Sequence, residues 1–282
     1  MRKRWMILFS VIILIGILII IILICGKENS NSADVGDIDV GDVDVGNIEV
    51  RSNDKKIEEI VKEKYTFYDM QNIKKFMAQN NVGNISVEVS ENDNLQIETE
   101  SMITVYTKKD LERIKENIKI QENLETDMCK IGIISKESGE ELWEWLEKNI
   151  EDYNVSVDLN IKIPQNMNEI TLEAECGNIK VNGLEGSLNI KGKVGNIVAN
   201  QCQLTENCIL QTRTGNISIL LCDDLMNDAF VDMVTKTGNI EINLAGNAIE
   251  YTEKKEDLIE GTIDKKYDIN ANVRTGLVKV VK

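Results

Sequence analysis

The sequence predicts a mainly β chain: a single-stranded parallel β-solenoid, or β-helix, with a short helical insertion and one N-terminal transmembrane helix. Three observations predict it. The triplet Gly-Asn-Ile recurs along the chain, residues at fixed distances from each copy are apolar, and twenty uncharged residues follow three basic ones near the start.

Residues 1–5 are expected to be a cytoplasmic basic tail, carrying Arg2, Lys3 and Arg4. Residues 6–25, "MILFSVIILIGILIIIILIC", hold no charge, and twenty helical residues cross the roughly 30 Å hydrocarbon core. The basic cluster stays inside, so the remainder is exported. A cleaved signal peptide would have a shorter apolar region, ~7–15 residues, and a small-residue cleavage site. A lipoprotein signal ending at Cys25 would need a small residue where Ile24 stands. The favoured reading is an uncleaved single-pass anchor in the cell membrane.

Residues 26–62 read as an acidic Gly/Asp repeat stalk. Within them "ADVGDIDVGDVDVGNIEV" repeats in slipped pentads. Calcium is the chemical reading of such Asp-Gly runs. Calcium-binding β-rolls, however, use nonapeptides with paired glycines, whereas these pentads have single ones. They are read as a solenoid-like lead-in beside the membrane.

Residues 63–282 form the extracytoplasmic domain. Corner triplets begin at Gly83, Gly177, Gly195, Gly215 and Gly238, with a degenerate copy at Gly276; from Gly177 the first four are 18, 20 and 23 residues apart. That spacing suits one coil of a solenoid, each stacked on its neighbour. Two residues after each Gly stand Ile85, Ile179, Ile197, Ile217, Ile240 and Val278, and four after it Val87, Val181, Ala199, Ile219, Ile242 and Val280. Seven before it stand Phe76, Ile170, Leu188, Cys208, Val231 and Ile269. Alternate apolar positions on both sides of a corner are two period-two strands that share one interior. Gly permits the turn, and Asn84, Asn178, Asn196, Asn216 and Asn239 follow it as an expected amide ladder. The usual chirality of parallel crossovers makes the solenoid right-handed.

A helical insertion, about 107–152, interrupts the spacing. In "TKKDLERIKENI" the residues Leu111, Ile114 and Ile118 share a face, and Thr107 and Asp110 are placed to cap it. In "SGEELWEWLEKNI" Ser138 and Glu141 have capping-box spacing. Trp145 then falls on the apolar side, and Trp143 faces elsewhere as a candidate partner contact. "YNVSVDLNIKIP" alternates into the regular coils, and the charged insertion "EKKEDLIEGTIDKK" is expected to protrude.

The run "VSVDLNIKIPQNMNEITLEAECGNIKVNGLEGSLNIKGKVGNI" resembles the DUF4097 family, whose members are labelled adhesins and carry β-strand repeats. The likeness lies in a strand ending Ile-Pro, then Ile-x-Leu, Gly-x-Ile-x-Val and Gly-Leu-x-Gly. The family usually has Ser-Gly-Asp where this chain has Cys176-Gly177-Asn178, Val194-Gly195-Asn196 or Thr214-Gly215-Asn216. The resemblance implies one envelope-associated β-solenoid domain and no catalytic residues.

Composition narrows the chemistry. Without its three N-terminal cations the chain has 29 basic and 48 acidic residues, a net charge of −19, which makes nucleic acid and other polyanions poor default partners. Histidine is absent, which removes serine or cysteine hydrolysis with a His base and His-ligated zinc. Cys202 and Cys222 share the seventh position after their corners, so they are expected to stack. Small buried hydrophobes are the favoured reading of the cysteines, a Cys202–Cys222 disulfide the alternative. Asp223 and Asp224, near Arg213, read as a solvated turn. No catalytic, metal or cofactor residue is assigned. The expected role is a non-catalytic interaction, scaffold or envelope-sensing module whose partner is another envelope protein or cell-surface component. The alternative is a cell-surface carbohydrate-binding protein or a glycan-active β-helix enzyme.

Overall fold

The structure is a computed structural model that describes residues 56–67, 70–90, 92–221, 230–243, 249–263 and 267–281. The chain divides into two compact units, Met1–Asn47 and Ile48–Lys282. The expected anchor at 6–25 and the acidic pentads lie outside the described residues, as do Cys222, Asp223 and Asp224. Among the described residues no helix is long and apolar enough to cross a membrane.

The second unit is mainly β, with a β-solenoid-like stack of coils, each giving one strand to each of two faces. In the first face stand β3 (Ile85–Ser90), β9 (Ile179–Asn182), the first part of β11 (Ile197–Thr214), β12 (Ile217–Leu221), β14 (Ile240–Asn243) and β18 (Val278–Val281). In the second stand β2 (Lys75–Val82), β8 (Glu169–Cys176), β10 (Glu185–Val194), the rest of β11, β13 (Phe230–Thr237) and β17 (Tyr267–Thr275). Neighbours pair in parallel, with Ile179, Ile197, Ile217, Ile240 and Val278 aligned in one row. Phe76, Ile170, Leu188, Cys208, Val231 and Ile269 align in another. Apart from half-buried Val278, these side chains are at most 2% exposed, so the apolar columns form the core.

The insertion does more than the sequence predicts. Its helices, α1 (Lys108–Asn117) and α2 (Leu142–Asn149), flank an antiparallel hairpin of β5 (Ile118–Glu125) and β6 (Met128–Ser135). The strand β7 (Asn154–Pro164) leads into β8 as expected, but it pairs with β3 on the side away from β9. With β6 beside β2, the insertion builds an extra coil beneath the one that precedes it in the chain. Beyond β7 the first face ends in β4 (Leu95–Val105) and β1 (Ile57–Phe67), both antiparallel. Residues 57–62, assigned to the stalk from sequence, therefore belong to β1. Half-buried Ile57, Glu59 and Val61 alternate with exposed Glu58, Ile60 and Lys62, and the charged side chains among them protect an edge strand.

Thr107 caps α1 by accepting from the Asp110 N–H. Ser138 does not cap α2. The cap position is Glu141, which makes no side-chain cap bond, and the Ser138 hydroxyl donates to Glu140. The backbone is already held there by a bridge between Ile134 and Glu141 and by a Ser135 N–H bond to the Glu140 carbonyl. Asn117 joins the helices through its Oδ1, which accepts from the Glu137 N–H and the Ser135 hydroxyl. Arg113 lies 5.1 Å over the Trp145 ring and donates to Asn149 Oδ1.

The charged insertion near the C-terminus does not protrude. It forms β15 (Ile249–Lys254) and β16 (Leu258–Ile263), and β16 pairs antiparallel with β17. The carbonyls of Glu256 and Asp257 accept from the N–H groups of Val278 and Val273. Glu256 thus takes the place that the next corner's Asn carbonyl has elsewhere, and it caps the stack.

Candidate functional site

Two columns flank the corner glycines. The inner geometry starts with the glycine itself: Gly195 has φ of +143°, and a Cβ built there would lie 1.9 Å from the Gly177 carbonyl oxygen. No side chain fits so close an approach, and the same contact repeats at Gly177, Gly215 and Gly238. From the position three residues earlier, Thr212 and Thr235 donate hydroxyl bonds to the Gly195 and Gly215 carbonyls. At the corresponding position Asn80 donates from its side-chain amide to the Val157 carbonyl.

One residue after the glycine runs the asparagine ladder. Backbone N–H groups of Asn178, Asn196, Asn216, Asn239 and Leu277 donate to the side-chain oxygens of Asn84, Asn178, Asn196, Asn216 and Asn239, at 2.8–3.0 Å. The rungs are therefore side chain to backbone, and at the Asn84–Asn178 step the Asn178 amide adds a bond to Asn84 Oδ1. Sequence reasoning missed the terminal member. Asp158 accepts from both the N–H and the amide of Asn84 at 2.7 and 3.0 Å, because Val157-Asp158-Leu159 takes the place of Gly-Asn-Ile in the inserted coil. At the far end Leu277 has no side-chain oxygen to offer, and the ladder stops.

Two residues before the glycine the outward side chains are Asn81, Glu175, Lys193, Arg213, Lys236 and Arg274. Register pairs on either side of each hold Lys193, Arg213, Lys236 and Arg274 in line on adjacent strands, which stand ~4.8 Å apart. All four are exposed. Lys193 forms an ion pair with Glu175, whereas Arg213, Lys236 and Arg274 have no ion pair among the described residues. The row stands in the sequence at a fixed offset of two residues before the corner glycines from Gly195 onward, a local excess of positive charge within a strongly negative chain.

At the row's beginning Lys191 and Lys193 border a concavity of about 370 Å³ with Gln79, Asn81, Glu141, Glu173 and Glu175. Two of its three carboxylates are engaged: Glu173 accepts from Gln79, and Glu175 pairs with Lys193.

The other candidate residues fall elsewhere. Gln201, at φ of +51°, forms a bulge that sets Cys202 opposite Leu221, so equal offset from the corner does not give equal register here. Cys129 and Cys208 are buried and Cys176 half-buried. Burial, with Glu122 adding, pushes the Cys129 thiol up to about 12; burial likewise raises Cys208 and Cys176. Protonated thiols of this kind are poor nucleophiles. Trp143 does not face away from the domain. It is half-buried against the core, its Nε1 enclosed without a hydrogen-bond partner.

The chain is similar to several solved structures. One is described as a "putative cell adhesion protein" from Clostridium sporogenes: 14% identity, 79% of this chain and 98% of that one, TM-score 0.43. A "putative adhesin" from Bacteroides fragilis has 12% identity over 79% of this chain and 96% of its own, TM-score 0.31. One from Parabacteroides distasonis has 11% identity over 79% and 97%, TM-score 0.28. No curated protein matches. The family profile described as Toastrack DUF4097 matches residues 27–280, and with so much of its length matched the chain belongs to that family.

Proposed function

We propose that the chain is a non-catalytic interaction module, held to the cell membrane by residues 6–25 with its β domain outside. The observation that carries this reading is the in-register row of Arg213, Lys236 and Arg274. Like charges directly opposite on adjacent strands destabilise a sheet, and outward side chains add nothing to the core, so the row is explained by what it meets. The stack suits the task, because parallel coils with a hydrogen-bonded corner hold a long row rigid at fixed pitch. Function is assigned from this surface and not from the fold.

A photoreactive amino acid placed at Lys236 in cells, compared with one at Ser218 on the first face, tests the reading. Capture of a specific partner from position 236 and not from 218 is the expected result. Equal capture from both, or none from either, would remove the row as an interaction surface. A reporter fused after Lys282 tests the anchor: activity confined to the cytoplasm would overturn the orientation.

A further inference from the structure

We propose that the row of Lys193, Arg213, Lys236 and Arg274 binds an extended acidic polysaccharide, a linear chain with carboxylates on its sugar residues. The proposal rests on the reading of this domain as an interaction module and names its ligand. The row is straight, each cation repeating at the ~4.8 Å strand spacing, so it presents charge along a line instead of around a point. A compact anion would use one or two of these groups; a polymer in extended form uses all of them.

The flanking rows supply the second part of the recognition. On one side stand Gln211, Val234 and Asn272, on the other Thr214, Thr237 and Thr275. None is acidic, so nothing there repels an anion. Amides and hydroxyls both donate and accept, which complements the hydroxyls of a sugar chain, while the guanidinium groups of Arg213 and Arg274 present forked donors to carboxylates.

Other polyanions fit less well. Single-stranded nucleic acid is held by aromatic platforms as well as by charge, and this row and its flanks contain no aromatic residue. The exposed Phe230 opens β13, six residues from Lys236 along the strand, roughly 20 Å away. An extended acidic peptide turns a side chain to the same side only every second residue, roughly 6.8 Å apart, a poorer match to the ~4.8 Å pitch of the row.

The test uses the full chain in detergent micelles and oligogalacturonate as probe. Neutral dextran, poly-glutamate and an oligothymidylate serve as comparators. Oligogalacturonate should bind, bind more weakly as salt rises, and outcompete all three comparators. The triple variant R213Q/K236Q/R274Q should weaken binding about tenfold to a hundredfold, from up to about fivefold per exposed ion pair. Lys236→Glu should abolish most binding while leaving the melting temperature equal or higher, because a carboxylate between Arg213 and Arg274 relieves their repulsion; loss of binding through misfolding would lower it. Lys62→Gln with Lys64→Gln, on β1, should change nothing. Unchanged affinity in the triple variant would overturn the proposal, as would equal binding of dextran. Tighter binding of poly-glutamate or oligothymidylate would reassign the row to acidic protein or nucleic acid. Failure of oligogalacturonate with continued capture of a protein from position 236 would refute the ligand and keep the interaction module. Failure of both would refute both.

Discussion

The asparagine ladder and the cation row run side by side, three residues apart along the chain, with the same strand spacing and the same coil-to-coil register. Their energetics are opposite. Each ladder residue accepts a hydrogen bond from the coil stacked upon it, so repetition satisfies backbone donors that a turn would otherwise leave bare. Each cation faces another cation, so repetition there accumulates repulsion. Repetition in a solenoid is therefore no mark of structural purpose by itself; the sign of the neighbour interaction separates a column that builds the stack from one that the stack displays.

The comparison is broken most severely at the corner both columns share. Gly195→Ala puts a Cβ against the Gly177 carbonyl oxygen at positive φ and should cost at least about 3 kcal/mol, measured as a shift in the denaturant midpoint. Gly132→Ala on β6, where a Cβ would meet nothing within 4 Å, should stay within about 0.5 kcal/mol. A smaller loss tests the ladder alone. Asn178→Ala removes the acceptor of the Asn196 N–H and a side-chain bond to Asn84, a cost of about 1–3 kcal/mol; a loss no greater than that of an exposed surface Asn would show the ladder to be ornamental.

The ladder between Asn84 and Asn239 has no ionisable group, so alkaline pH probes instead the interior of the inserted coil, where Cys129 on β6 stands beside Phe76 on β2. The Cys129 thiol rises from 9.0 to about 12 on folding. A raised pKa gives stability that is complete below about 9 and is lost as pH climbs through about 12, about 1 kcal/mol by pH 10. Cys129→Ala should flatten that part of the stability profile. The smallest effect sharpens the contrast: Lys236→Gln should raise the melting temperature, by up to about 3 °C, where every ladder substitution lowers it.

Much of the stack was legible because burial imposes a period of two and a corner imposes glycine, and both leave marks at fixed offsets. Asp158 was not legible, since Val157 replaces glycine at the end of the stack, where no coil lies beneath to crowd a Cβ. Cys202 was misplaced because one residue of bulge at Gln201 shifts the register without changing the alternation. Ser138 at capping-box spacing was outcompeted by tertiary backbone bonds around Glu140 and Glu141. The place of β7 could not be read, because an alternating strand carries no signal for which side of a neighbour it joins. The cation row was legible from the start in the same offsets; net charge, being a sum, conceals a local excess of the opposite sign.

The inserted coil also dictates the order in which the molecule can assemble. From β8 onward each corner bonds to one 18, 20, 23 or 38 residues away, so those coils close by short loops and can grow stepwise. The β2–β3 coil meets its neighbours only through β6, β7, β8 and β9, with Asn84 and Asn178 separated by 94 residues. Closing such a span is entropically expensive and slow. Strands β2 and β3, early in the chain, are thus secured late, only after the segment that pairs beneath them is in place. The coils from β8 onward, closed by shorter loops, can form before the β2–β3 coil is locked in.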